Sequence, residues 1–120
     1  MSSRGIRVVP DELRQIAFGA IGAGFTAIPG ITVPAVYTNP IRILILKNAT
    51  NAPMYISYDG TFIHDFLPAA SGQVLDFTAN AGGGHTFPFI AAGTTVYVTY
   101  DVVAPTSGSV TVSAYYCVGD

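Results

Sequence analysis

The chain has 120 residues, half of them hydrophobic and only 10% charged, with a formal net charge of −2. That length gives one domain, five bases are too few to neutralise the phosphates of a nucleic-acid site, and the single cysteine, Cys117, excludes an internal disulfide framework. The bases Arg4, Arg7, Arg14, Arg42 and Lys47 all precede residue 48, and beyond it stand only the acids Asp59, Asp65, Asp76, Asp101 and Asp120. Ordinary domains carry about 25% charged residues, so the surface of this one reads as a surface built to be covered by neighbours.

Residues 1–38 read as an N-terminal arm. Ile16 to Val36 is uncharged, but Gly19, Gly22, Gly24, Pro29, Gly30 and Pro34 make a poor lipid-embedded helix, and Asp11 and Glu12 stand where a secretory leader is purely basic. No membrane role is expected. Arg14 to Ile21 fits a strand if Ile16, Phe18 and Ala20 share a face, and a short helix if Leu13, Ile16, Ala17 and Ala20 do; the glycines favour the extended form. Arg4, Arg7, Arg14, Phe18 and Phe25 are the arm's candidate contact residues, and removal of residues 1–15 is expected to leave a folded body with weakened assembly.

Residues 39–120 read as a β-sandwich body. Ile41 to Lys47 is almost continuously apolar, as in a strand buried on both faces or lying next to an interface. Asn48 to Pro53 is a turn. Met54, Ile56 and Tyr58 alternate with Tyr55, Ser57 and Asp59, and Asp59-Gly60 predicts a two-residue hairpin turn with a return strand over Thr61 to Leu67. Pro68 to Gly72 is a break, Gln73 to Thr78 a strand, and Asn80 to Gly84 a glycine loop. Val96, Val98, Tyr100 and Val102 alternate with Tyr97, Thr99 and Asp101, and Val110, Val112 and Ala114 alternate with Thr111, Ser113 and Tyr115, each as a half-buried antiparallel strand. Short strands with glycine and proline turns and no helix predict an all-β, antiparallel two-sheet sandwich, jelly-roll-like. The outward faces use Ser, Thr and Tyr where independent proteins place Lys and Glu, which makes Tyr55, Tyr97 and Tyr115 candidate contact residues.

Reactive groups are sparse. Adjacent residues of a strand face opposite ways, so His64 and Asp65 do not form a catalytic pair. Asp59, His64 and His85 lack metal-ligand spacing, and Gly82-Gly83-Gly84 lacks the Lys-Ser/Thr of a phosphate loop. Cys117 has no neighbouring base to activate it. Asn48-Ala49-Thr50 has the form of a glycosylation sequon and is better explained by turn chemistry. The expectation is a non-enzymatic protein with no cofactor and no metal.

Asn48-Ala49-Thr50-Asn51-Ala52-Pro53-Met54-Tyr55-Ile56-Ser57-Tyr58-Asp59-Gly60 resembles a segment of small all-β virion proteins of tailed bacteriophages. Leu67-Pro68-Ala69, Val74-Leu75-Asp76-Phe77, Gly93-Thr94-Thr95-Val96-Tyr97-Val98 and Ser107-Gly108-Ser109-Val110 are similar to later pieces, so that the likeness covers roughly residues 10–118. The resemblance implies a structural place in the virion, as a capsid decoration (cement) protein or as a neck or tail ring subunit at the head-to-tail connection. Its implied partners are copies of itself, the major capsid protein or portal, neck and tail proteins. A receptor- or glycan-binding module is the alternative of another class, on the strength of the outward tyrosines, and a small hydrolase is a third that lacks a constellation.

Overall fold

The computed structural model describes residues 6–30, 32, 34–77 and 90–119. Among them are the strands β1 (Ile6–Pro10), β2 (Arg14–Ala17), β3 (Thr26–Ala27), β4 (Ile43–Asn48), β5 (Met54–Ser57), β6 (Asp65–Leu67), β7 (Ser71–Asp76), β8 (Tyr97–Tyr100) and β9 (Ser109–Gly119), with a 3-10 turn at Phe18–Ala20. Two antiparallel sheets result, one ordered β1-β9-β4-β7 with β2 also on β9, the other β3-β8-β5-β6. The pairings are nested: β2 with β9, β3 with β8, β4 with β7 and β5 with β6. Successive nested pairs therefore fall in alternate sheets.

Period-2 alternation puts the core between the sheets. Leu44 and Leu46 of β4 and Val110, Val112 and Ala114 of β9 face Met54 and Ile56 of β5, Leu67 of β6 and Val98 of β8, all of them buried. Each large aliphatic so buried contributes roughly 1.5–3 kcal/mol. At the end of β4, buried Asn48 donates from its amide to the carbonyls of Ala52 (2.9 Å), Leu67 (3.1 Å) and Pro68 (3.1 Å), and accepts from the amide and hydroxyl of Thr50. The sequon asparagine is thus the knot that closes the β4–β5 turn onto the end of β6.

The described part of the N-terminal segment supplies β1 and β2 to the first sheet and β3 to the second. β1 pairs with the last residues of β9 and β2 with the first, and between them the Asp11 amide donates to Ala114 O at 2.8 Å. Ile16 joins the core. β4 stops pairing with β9 at Tyr115, so past that point β1 and β9 run on as a two-stranded ribbon among the described residues.

Two local expectations change. The β5–β6 connection is a seven-residue loop, Tyr58 to His64, and the return strand is only Asp65–Leu67. Side chains cause this: Asp59 Oδ1 accepts from the amides of Thr61 (2.8 Å) and Phe62 (3.0 Å), and Ser57 Oγ accepts from those of Asp59 (3.3 Å) and Gly60 (2.9 Å). Amides claimed by side chains are unavailable to a ladder. The other change concerns Val102, whose alternation predicts an inward side chain. The chain leaves β8 in a tight turn in which Val103 N donates to Asp101 O, leaving Val102 at φ 60° and 90% exposed. His85 and the glycine loop at Asn80 to Gly84 lie outside the described residues.

Candidate interaction surfaces

Arg14 is the most unusual of the candidate contact side chains. Expected among the arm's contact residues, it is instead 2% exposed. Its position opposite Val112 gives it the inward parity of Ile16. The guanidinium donates to the carbonyls of Pro34 (2.9 Å), Ala35 (2.5 Å) and Val36 (3.3 Å) and lies 3.7 Å from the centre of the Tyr37 ring. A planar fork of five donors suits three successive carbonyls of an irregular segment that has few ladder partners of its own. Arg14 thus fastens Pro34, Ala35 and Val36 to β2.

The Tyr37 hydroxyl is buried without a hydrogen-bond partner. Burial pushes its pKa up from 10 to about 12, against the opposing pull of Arg14 and with a small push from Asp11. A raised pKa in a group that ionises to an anion means stability present below the unfolded value and lost as pH rises from about 10 to about 12. Tyr37→Phe keeps the ring under Arg14 and removes the orphan hydroxyl. It is expected to leave stability at pH 7 unchanged or raised by up to about 1 kcal/mol and to lessen the loss near pH 11; urea midpoints at both pH values check this, and a fall of more than about 1 kcal/mol at pH 7 would show that the hydroxyl has a partner.

The first surface is the outer face of the β3-β8-β5-β6 sheet with its loops. Tyr55 stands opposite Phe66, their rings 5.5 Å apart and tilted by 52°. A hydrogen bond with Asp101 raises the Tyr55 pKa, with lesser help from burial and charge. Phe62 is 67% exposed, and Ile63, Phe66 and Val103 are also open. Tyr97, expected on this face, lies half-buried beneath Gly60, where an added Cβ would come within 3.1 Å of its ring. His64 stacks on Tyr58, accepts the Tyr58 amide at Nδ1 (3.0 Å) and sits 3.9 Å from Asp59. The Asp59 carboxyl is held below the usual range chiefly by the amides of Phe62 and Thr61, against an opposing burial cost and with smaller help from Ser57 and His64. Asp65 turns the other way and accepts from Tyr58 Oη at 2.7 Å, so His64 and Asp65 do not converge. Burial and that bond drive the Tyr58 pKa strongly upward. Among the described residues no three His, Cys, Asp or Glu side chains group as a metal site.

The second surface is the outer face of the other sheet. Registers place Ile43 and Ile45 of β4, Val74 of β7, Tyr115 and Cys117 of β9, and Val8 and Pro10 of β1 on it, with polar Ser113 opposite Ile45, Thr111 opposite Lys47 and Gln15 opposite Thr111. Val74 is 60% exposed and Val8 is also open, while Ile43, Ile45, Tyr115 and Cys117 are half-buried by one another and their sheet neighbours. Its charges stand at the edges: Lys47 beside Gly72 at one end and Asp76 beside Ile43 at the other. The outer face of an exposed antiparallel sheet is normally polar, so the outward Ile43 and Ile45 depart from the usual pattern.

The remaining contact candidates scatter. Arg7 is exposed on the β1–β9 ribbon, Phe18 is exposed on the 3-10 turn, Phe25 is half-buried, and Arg4 lies outside the described residues. Ile43, Ile45, Val74 and Phe66 are outward apolar side chains that stand outside the sequence-derived candidates; the apolar run Ile41 to Lys47 is the available signal for the first two. No helix among the described residues is long and apolar enough to cross a membrane. Comparison with protein-family models, with curated proteins and with solved structures gives no match to this chain.

Proposed function

We propose that this chain is a non-enzymatic structural subunit of a bacteriophage virion, a jelly-roll capsid decoration (cement) protein held by contacts with copies of itself and with other virion proteins. The observation that carries the reading is the apolar patch that Ile43, Ile45, Val74, Tyr115 and Val8 form on the outer face. Left in water, such a patch is an aggregation liability, and a neighbour that covers it removes the liability. Support for the jelly roll comes from the nested pairing of β2 to β9 through β5 to β6, a double-sheet architecture shared by viral capsid and lectin domains. Architecture alone does not carry function; the sequence resemblance and the sparse charge add to it. The exposed β1–β9 ribbon with Arg7 is the part of the N-terminal segment suited to reach a neighbour.

Purified protein added to particles that lack it should bind, on the order of hundreds of copies per particle for decoration and about six or twelve for a neck or tail ring, which is the second position the reading allows. Protein that binds no particle and stays monomeric would sink the virion reading. The Tyr55–Phe66 pair beside Asp101 favours one reading of another class, a glycan- or receptor-binding module, since a tilted aromatic pair beside an acceptor is a stacking platform. That reading requires Tyr55→Ala to abolish cell attachment while leaving particle binding intact.

A further inference from the structure

We infer that two copies of this chain pair edge to edge through β7, antiparallel about a two-fold axis at Val74. The inference rests on the reading that copies assemble, and it names the edge, register and contacts. Among the described residues β7 has β4 on one side and no strand on the other. It is six residues long, Ser71-Gly72-Gln73-Val74-Leu75-Asp76, with no Lys, no Pro and regular one-to-one register along its whole length. Independent proteins blunt such an edge with those devices or by shortening the strand. The other open edges are blunted: β3 has two residues, β6 has three, and the β1–β2 edge carries Pro10 and is broken at Asp11 to Leu13.

Register decides the partner. Strand faces must match across a new pairing, since a slip by one residue turns every side chain to the other face. Val74, Gly72 and Asp76 face outward, so the symmetric solution sets Val74 against Val74, Gly72 against Asp76 and Gln73 against Leu75. The outward row then reads Ile45, Val74, Val74, Ile45 across the axis, and the apolar face of each copy becomes one continuous strip. At each end, Asp76 of one copy lies opposite Gly72 of the other, with Lys47 of that copy the next side chain in the row. Two strand spacings separate Lys47 from Asp76, roughly 9–10 Å between Cα atoms, and Gly72 puts no side chain between them. Lys47 is exposed and its stem is long enough to cross. A side chain at Gly72 would also press on the Leu46 carbonyl at 3.0 Å. The edge is therefore self-complementary in shape and charge, as a two-fold contact must be.

Light scattering during size-exclusion chromatography of the full chain should show dimers or their multiples. Val74→Lys, at an exposed position that leaves the thermal midpoint in place, should weaken association by about tenfold or more. Lys47→Glu alone and Asp76→Lys alone should each weaken it by about three- to tenfold, and the double exchange should restore it. Within one chain those two residues stand four positions apart along the strands, so rescue reports the contact between copies. In a Cys117→Ser background, Val74→Cys should form a disulfide-linked dimer on mild oxidation, because directly opposed Cβ atoms lie ~4.5–5.5 Å apart, near disulfide reach. Association that ignores all these changes, or a wild-type chain that stays monomeric, overturns the β7 pairing. Particle binding by the same proteins judges the virion reading separately.

Discussion

Replacing Arg14 with methionine is expected to cost about 2–4 kcal/mol of stability. The methionine fills much of the space but leaves the carbonyls of Pro34, Ala35 and Val36 without the donor that holds them. Hydrogen bonds to a charged donor contribute about 1.5–3 kcal/mol each when desolvated, and the sum is discounted because Pro34 and Val36 are open enough for water to replace part of the loss. Lysine is no conservative exchange: a single ammonium cannot meet three carbonyls in a fork or stack flat on the Tyr37 ring, and it should lose about half as much as methionine does. Denaturant midpoints at constant slope check this, and a loss under about 0.5 kcal/mol would mean that the guanidinium holds nothing. The same geometry changes what removal of residues 1–15 does. The cut deletes β1 and Arg14 and leaves one edge of β9 partly bare, so the truncated chain should be strongly destabilised, where the sequence alone led to a stable body.

The reason for that difference lies in what period-2 patterns can carry. β4, β5, β7, β8 and β9 were legible within a few residues because their apolar positions alternate or run continuously between turn residues. Arg14 was not. A lone arginine beside a glycine-rich uncharged stretch reads as surface, and only its shared parity with Ile16 hinted otherwise. The Tyr58 to His64 loop was misread for a similar reason: Asp59-Gly60 has the composition of a two-residue turn, but Ser57 and Asp59 claim four loop amides between them. Val102 continued an alternation whose strand had ended at Tyr100. As for the surface, the run Ile41 to Lys47 announced a strand with two apolar faces, while the coming together of Val74, Tyr115 and Val8 around it depends on long-range register, which no local pattern encodes.

Gly108→Ala is expected to be as costly as the loss of Arg14, for reasons confined to the backbone. Gly108 has φ 89°, a region that favours glycine, and Gly93 has φ 91°. Their surroundings differ. A Cβ at Gly93 meets nothing within 4 Å, whereas one at Gly108 would lie 2.1 Å from Ala49 O, 2.8 Å from Ala49 C and 2.9 Å from Thr50 Cα. None of these atoms is the end of a flexible side chain. The Ala49 amide donates to Ser109 O at 2.9 Å, Phe18 N donates to Gly108 O at 3.0 Å, and Thr50 is tied to buried Asn48 through both its amide and hydroxyl. To admit the methyl group, the β8–β9 turn must move away from the β4–β5 turn and break the Asn48 knot or the start of β9. Gly93→Ala should therefore cost about 1 kcal/mol, the conformational term alone, and Gly108→Ala about 3 kcal/mol or more. Thermal or denaturant unfolding of the two variants side by side measures the difference, which brings out the steric term because the two φ angles match. Equal losses would mean that the two turns are free to separate, and the Asn48 web would then not be what holds that end of the sandwich closed.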